Sequence, residues 1–228
     1  MPLPRVILHN MVSVDGRMDW FRPNVGLYYE IASRWEVDAI LSGSETILTG
    51  IAELEPPADK AAAADAGDSP EGVNYGPLLV VVDSRGRIRQ WEWLRNQPYW
   101  RGVVVLCSSS TPDEYLRYLE DQRVDYLVAG EERVDLKAAL KELYARYAVE
   151  SVRLDSGGTL NGVLLRQGLV DEISILVDPC LVGGTIPRSL FVAPDLTSPA
   201  GIIDLRLMHL EEFDGGVVWL RYEVVRQD

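Results

Sequence analysis

Leu154-Asp155-Ser156-Gly157-Gly158-Thr159-Leu160-Asn161 is the stretch from which the architecture is read. Ser151 to Leu154 is a short strand, two glycines follow, and Thr159 to Gln167 patterns as a helix ended by Gly168. A strand passing through Gly-Gly directly into a helix is the joint of an α/β protein. It leaves the first amides of the helix unpaired and sets the positive end of its dipole at the carboxyl end of a strand. Glycine admits a phosphate close to the backbone, so a pyrophosphate is a natural occupant. A tight turn capped by Thr159 explains the same residues, and on this segment alone both readings stand.

Outward from that joint the alternation repeats. Towards the N-terminus lie strands at Arg5–Asn10, Ala39–Ser42, Leu78–Val82, Val103–Cys107 and Val124–Val128. Helices fall between several of them. Leu27 to Val37 places Leu27, Ile31 and Trp35 on one face, and Asp135 caps a helix whose inner face is Leu136, Leu140, Leu143 and Tyr147. Thr111-Pro112-Asp113-Glu114 has the form of a Thr N-cap, Pro at the first helical position and Glu closing a capping box. Short links between strands and helices imply a mainly parallel central sheet with helices on both faces. The end differs: Ile173–Val177, then Leu205–Glu211 and Val217–Val225 joined by Phe213-Asp214-Gly215-Gly216, predict an antiparallel C-terminal edge. Pro56-Pro57, four consecutive alanines and several glycines mark a flexible surface loop at about 53–76 within one domain spanning 1–228.

Composition sets limits. A net charge of −13 opposes a nucleic-acid or anionic-membrane partner. No apolar run reaches the ~18 residues of a membrane span, and His9 and Asn10 interrupt the first hydrophobic run, so no signal peptide is expected. Cys107 and Cys180 stand far apart in apolar contexts and read as buried thiols of a cytoplasmic protein. Cys-x-x-Cys and His-Glu-x-x-His are absent, so no metal is expected. His9 and His209 read as structural histidines.

Three further loops sit where α/β sheets bind ligands. Asp83-Ser84-Arg85-Gly86-Arg87 follows a buried strand, and Ser84 with Arg85 or Arg87 offers charge-assisted bonds to a 2′-phosphate; a solvated polar turn is the plainer alternative. Gly43-Ser44-Glu45-Thr46 is either a phosphate-facing helix start or a capped turn. Asp15-Gly16-Arg17 lies in the first loop, where Asp15 can bond a substrate.

Together these residues resemble the pyrimidine reductase family of riboflavin biosynthesis, whose members occur alone or fused to a deaminase. The series Gly157-Gly158-Thr159-Leu160-Asn161, Leu164-Leu165, Leu169-Val170-Asp171-Glu172, Pro179 and Gly183-Gly184 carries the likeness. Ser13-Val14-Asp15-Gly16-Arg17, Thr46 and Val82-Asp83-Ser84 follow the same order as in the family. The resemblance implies a dihydrofolate-reductase-like fold, NADPH as hydride donor, a small-molecule substrate and a homodimer. It implies Gly43, Thr46, Ser84, Arg85, Gly157, Gly158, Thr159 and Leu160 around the cofactor, and Asp15 and Asp155 facing a 5-phosphoribosylamino-pyrimidine whose ribosyl group is reduced to ribityl. Asp155 stands where the family usually has Glu. Thr46 is followed by Ile47-Leu48-Thr49 and not by the family's Asp-Asp-Pro-x-Leu-Thr pattern. The zinc signature of the deaminase is absent. Two alternatives are a same-fold reductase of dihydrofolate or another pterin, for which Glu30 is the acid available on the first helix, and a non-catalytic nucleotide-binding protein.

Overall fold

Among the residues described by the computed structural model (2–54, 76–185 and 188–226), nine strands form one sheet. They are β1 (Arg5–Ser13), β2 (Ala39–Gly43), β3 (Leu78–Val82), β4 (Gly102–Cys107), β5 (Asp125–Val128), β6 (Ser151–Leu154), β7 (Glu172–Asp178), β8 (Leu205–Phe213) and β9 (Val217–Val224). Their order is β5-β4-β3-β2-β6-β1-β7-β9-β8. The first seven are mutually parallel, whereas β9 runs antiparallel to β7 and β8 antiparallel to β9. The expected mainly parallel sheet with an antiparallel C-terminal edge is the observed one, except that Ile173–Val177, expected among the antiparallel strands, lies in β7 and runs parallel to β1.

The helices are α1 (Val25–Ala32), α2 (Ser44–Leu54), α3 (Trp91–Arg95), α4 (Asp113–Asp121), α5 (Leu136–Tyr147) and α6 (Gly158–Arg166). Because strand side chains alternate faces, β3 sends Leu78 and Val80 to a core with Leu140 and Leu143 of α5 and Leu164 of α6. It sends Leu79 and Val81 to a second core with Trp91 of α3 and Tyr115 and Leu119 of α4. Helices thus cover both faces. A third cluster joins Leu27 and Ile31 of α1 to Met11, Leu176 and Trp219.

Three local expectations need correction. The first helix ends at Ala32, where the Ser33 amide closes it, so Trp35 packs from outside the helix. Thr111 does not cap α4: its hydroxyl accepts from the Ser108 amide at 3.0 Å and donates to the Ser84 carbonyl at 2.8 Å, leaving Pro112 as N-cap without a side-chain bond. Cys180 is only half-buried, unlike Cys107. Asp135 caps α5 as expected, accepting from the Ala138 amide at 3.0 Å. The expected loop at 53–76 lies, apart from its ends, outside the described residues, and α2 runs to Leu54.

Register fixes what the sheet presents at its carboxyl edge. Leu8, Leu154, Leu41, Val80 and Val104 form one continuous row across five strands, all at most 1% exposed. Two residues further along come Asn10, Ser156, Gly43 and Val82, and on β4 the buried Leu106. At β1, β6 and β2 the row changes from apolar side chains to Asn, Ser and Gly in one step, while β3 and β4 remain apolar.

Candidate active site

Asn10, Ser156, Gly43 and Val82 line a cavity of about 1070 Å³. Gly43, Thr46, Ser84, Arg85, Gly157, Gly158, Thr159, Leu160 and Asp155 all line it, together with Asn10 and Met18. Asp15 does not. Its carboxylate accepts from the Val182 amide at 3.1 Å, the Gly183 amide at 2.7 Å and the Ser13 hydroxyl at 2.7 Å. These bonds hold its pKa down to about 2, so Asp15 is an ionised anchor for the 182–183 loop.

Close approach explains part of the glycine turn. A Cβ on Gly158 would stand 2.0 Å from the Ser189 carbonyl oxygen, and one on Gly162 would stand 1.9 Å from that of Val192. The 189–192 segment therefore crosses α6 against backbone. It is bonded there, the Val192 amide to the Gly158 carbonyl at 3.0 Å, and to the first loop, the Leu190 amide to the Gly16 carbonyl at 3.1 Å. Gly157 is different, since an added Cβ would meet nothing within 4 Å. It is the glycine whose open side lies in the cavity wall, and it has no side-chain cap bond at the start of α6.

The turn is braced by a buried amide network. Asn161 Nδ2 donates to Asn10 Oδ1 at 3.1 Å, the Ser156 carbonyl at 3.3 Å and the Leu190 carbonyl at 2.9 Å. Asn10 Nδ2 donates to the Ser156 carbonyl at 3.2 Å. Polar residues at the end of an apolar strand and one turn into a helix were the available signal for this pair, which sequence reasoning did not single out.

Asp155 lies where β6 meets the turn. Burial pushes its carboxyl pKa up, against the opposing pull of Arg153 and of a hydrogen bond from the Tyr28 hydroxyl. Tyr28 stacks on His9, ring centroids 4.5 Å apart. His9 is fully buried between the Ser174 hydroxyl at 2.9 Å and the Tyr28 carbonyl at 3.2 Å, and desolvation lowers its pKa to about 4. It is a neutral spacer at physiological pH. A desolvated carboxyl on a cavity wall holds its proton nearer neutrality than a free one, which suits it to orient or protonate a reacting group.

At the far end, Arg87 is already paired, to Glu45 at 2.7 Å and to the Ser44 hydroxyl at 2.8 Å. Arg85 and Arg133 also line the cavity, and among the described residues their side chains have no such partner. Arg133, in the loop after β5, carried no sequence signal. Glu30, the acid available to a pterin-binding site, is exposed and does not line the cavity.

These residues fit a reduced dinucleotide in chemical kind: an open glycine at a helix start for the pyrophosphate, hydroxyls, and uncommitted cations for a further phosphate.

The chain is 33% identical over 218 residues to the 2,5-diamino-6-ribosylamino-4(3H)-pyrimidinone 5′-phosphate reductase of Methanothermobacter thermautotrophicus, covering 90% of this chain and 91% of that one. It is 34% identical to the Archaeoglobus fulgidus protein of the same name over 188 residues, 79% of this chain and 83% of that one. Among solved structures, Acinetobacter baumannii RibD superposes with a TM-score of 0.72 at 24% identity. That match covers 98% of this chain and 58% of the RibD chain, so it speaks for the dihydrofolate-reductase-like fold alone. A sequence profile of the RibD C-terminal domain matches residues 4–219. The chain belongs to the RibD C-terminal domain family.

Proposed function

We propose that this protein is an NADPH-dependent reductase that converts the ribosyl group of a 5-phosphoribosylamino-pyrimidine to ribityl in riboflavin biosynthesis. One observation carries the reading: the carboxyl ends of β1, β2, β3 and β6 bring the glycine turn, the hydroxyl loops and a desolvated carboxyl to one cavity. The names of the archaeal relatives support the substrate class. Gly157 and the α6 start would hold the pyrophosphate, with Gly43, Thr46 and Ser84 alongside. When bound, a reduced nicotinamide supplies the hydride.

The chain's own part is positioning. Asn10 and Asn161 fix the height of the turn, the Asp155 carboxyl orients the opened sugar and holds a proton for it, and the 189–192 segment keeps the first loop against α6. Asp15 acts at one remove, through the 182–183 loop. The pterin alternative lacks a carboxylate from α1 facing the cavity. A merely nucleotide-binding protein would have no use for a desolvated Asp155.

Incubating the protein with NADPH and the ribosylaminopyrimidine phosphate should consume reduced cofactor, with dihydrofolate giving none. Oxidation with dihydrofolate and not with the pyrimidine would overturn the substrate assignment.

The reading includes a cytoplasmic homodimer. Edge strand β8 exposes Leu205, Leu207, Met208 and Leu210, between 42% and 61%, an apolar strip unusual for a free edge. Leu207→Glu with Leu210→Glu should convert a dimer to a monomer by light scattering. A wild-type protein that is monomeric at micromolar concentration would remove this part of the proposal.

A further inference from the structure

Three loops at the far end of the cavity are stapled into one unit, although they follow three different strands. The Ser109 amide donates to the Gly130 carbonyl at 2.9 Å and the Ser110 amide to that of Glu131 at 2.9 Å. The Ser110 hydroxyl donates to the Glu132 carbonyl at 2.9 Å. These bonds tie the loop after β5 to the loop after β4. Thr111 then ties the β4 loop to the β3 loop through the Ser84 carbonyl at 2.8 Å. The loop after β5 can fold back this sharply because Gly130 has φ +85°, and a Cβ there would stand 2.3 Å from the Arg133 carbonyl oxygen.

The unit presents Ser84, Arg85, Ser110 and Arg133 to the same cavity. Thr111 gives up a helix cap to make the staple, a local loss that a tertiary demand explains. Arg87 also lines the cavity, but its guanidinium already bonds Glu45 and the Ser44 hydroxyl. In a chain of net charge −13, an added dianion meets an unfavourable overall field, so it needs uncommitted local cations. Among the described residues, Arg85 and Arg133, on the loops after β3 and after edge strand β5, are cavity-lining cations without an ion-pair partner. Glu132 lines the same wall, and its charge makes the second arginine the more necessary.

We propose that Arg133 is a specificity-determining residue that grips the ribose 2′-phosphate of the cofactor together with Arg85. The assignment rests on the nicotinamide-cofactor reading above and adds to it a residue from the edge-strand loop. Two guanidiniums on separate loops can clamp a dianion from both flanks, whereas one flexible arginine leaves it half solvated.

The test uses 2′,5′-ADP and 5′-AMP, which differ at that phosphate alone, with calorimetry on wild type, Arg133→Ala, Arg133→Lys and Arg85→Ala. Arg133→Ala should weaken 2′,5′-ADP binding roughly tenfold or more while leaving 5′-AMP within about twofold, and Arg133→Lys should recover part of the loss. The NADPH over NADH preference in turnover should narrow by the same factor. If wild type favours 2′,5′-ADP and Arg133→Ala keeps that preference intact, the proposal is overturned while the cofactor reading survives. If wild type binds neither nucleotide, the cofactor reading itself fails. Equal loss of both nucleotides in Arg133→Ala also overturns it, since that is the mark of a disturbed loop. Melting temperatures of all variants identify that case.

Discussion

Gly158→Ala is expected to lower the melting temperature by roughly 10 °C, whereas Gly157→Val leaves it nearly unchanged and cripples cofactor binding. The two glycines are neighbours with opposite duties. On Gly158 a new methyl would lie 2.0 Å from the Ser189 carbonyl oxygen and 2.9 Å from Val192 Cγ2. A backbone carbonyl cannot swing aside like a side chain, and the Val192 amide is bonded to the Gly158 carbonyl at 3.0 Å. Relief means dragging 189–192 off the helix, an overpacking cost of about 3 kcal/mol or more. For a chain of this length that is roughly 6–12 °C. Gly157 has φ −76°, an ordinary value, and open space where its side chain would go. Valine there would fill the place of a pyrophosphate, with NADPH affinity falling at least about tenfold. Thermal melts and fluorescence titration of the reduced nicotinamide read the two effects separately. Unaltered NADPH binding by folded Gly157→Val would place the pyrophosphate elsewhere.

The second large effect is at Asp155. Asp155→Asn should cost roughly 10²–10⁴ in turnover of the pyrimidine while leaving NADPH affinity nearly intact. The same substitution should make the protein more stable at neutral pH. The sign follows from the raised carboxyl pKa. The folded state holds the proton more tightly than the unfolded chain, so ionisation erodes stability as pH rises from about 4, the unfolded carboxyl value, to the higher folded value. Asparagine imitates the protonated form and escapes that loss, and the gap should close below about pH 4. Wild-type turnover should decline on the alkaline side as the carboxyl ionises, a limb missing from the Asn profile. Melting curves and kcat across the pH range test both halves. Full activity in the Asn variant with an unchanged pH profile would exclude the carboxyl from the reaction.

Much of the frame was legible because the parallel strands are unbroken apolar runs, with glycine or hydroxyl residues directly after them. That punctuation shows both where the sheet lies and which end faces a ligand. That Gly43, Ser84 and Gly157 come to one cavity could be read in this way. Asp15 could not: an Asp-Gly turn looks alike whether it meets a substrate or, as here, two loop amides some 167 residues away. Trp35 continues the apolar spacing of α1, yet a hydrophobic residue serves a core equally well from beyond the helix end. Thr111 has the sequence of a cap and the contacts of a bridge, since a distant carbonyl outbid the helix. Arg133 depended wholly on tertiary stapling, which leaves no local pattern.

The crossing of residues 189–192 over α6 has a mechanical consequence. Backbone lies on backbone at Gly158 and Gly162, and the same few residues are pinned to Gly16 and Asn161. A joint of that kind has no slack and no second seat. Any adjustment of the cavity to an occupant therefore falls to its lining side chains, Met18 of the first loop among them, while the backbone crossing behaves as a single rigid casting.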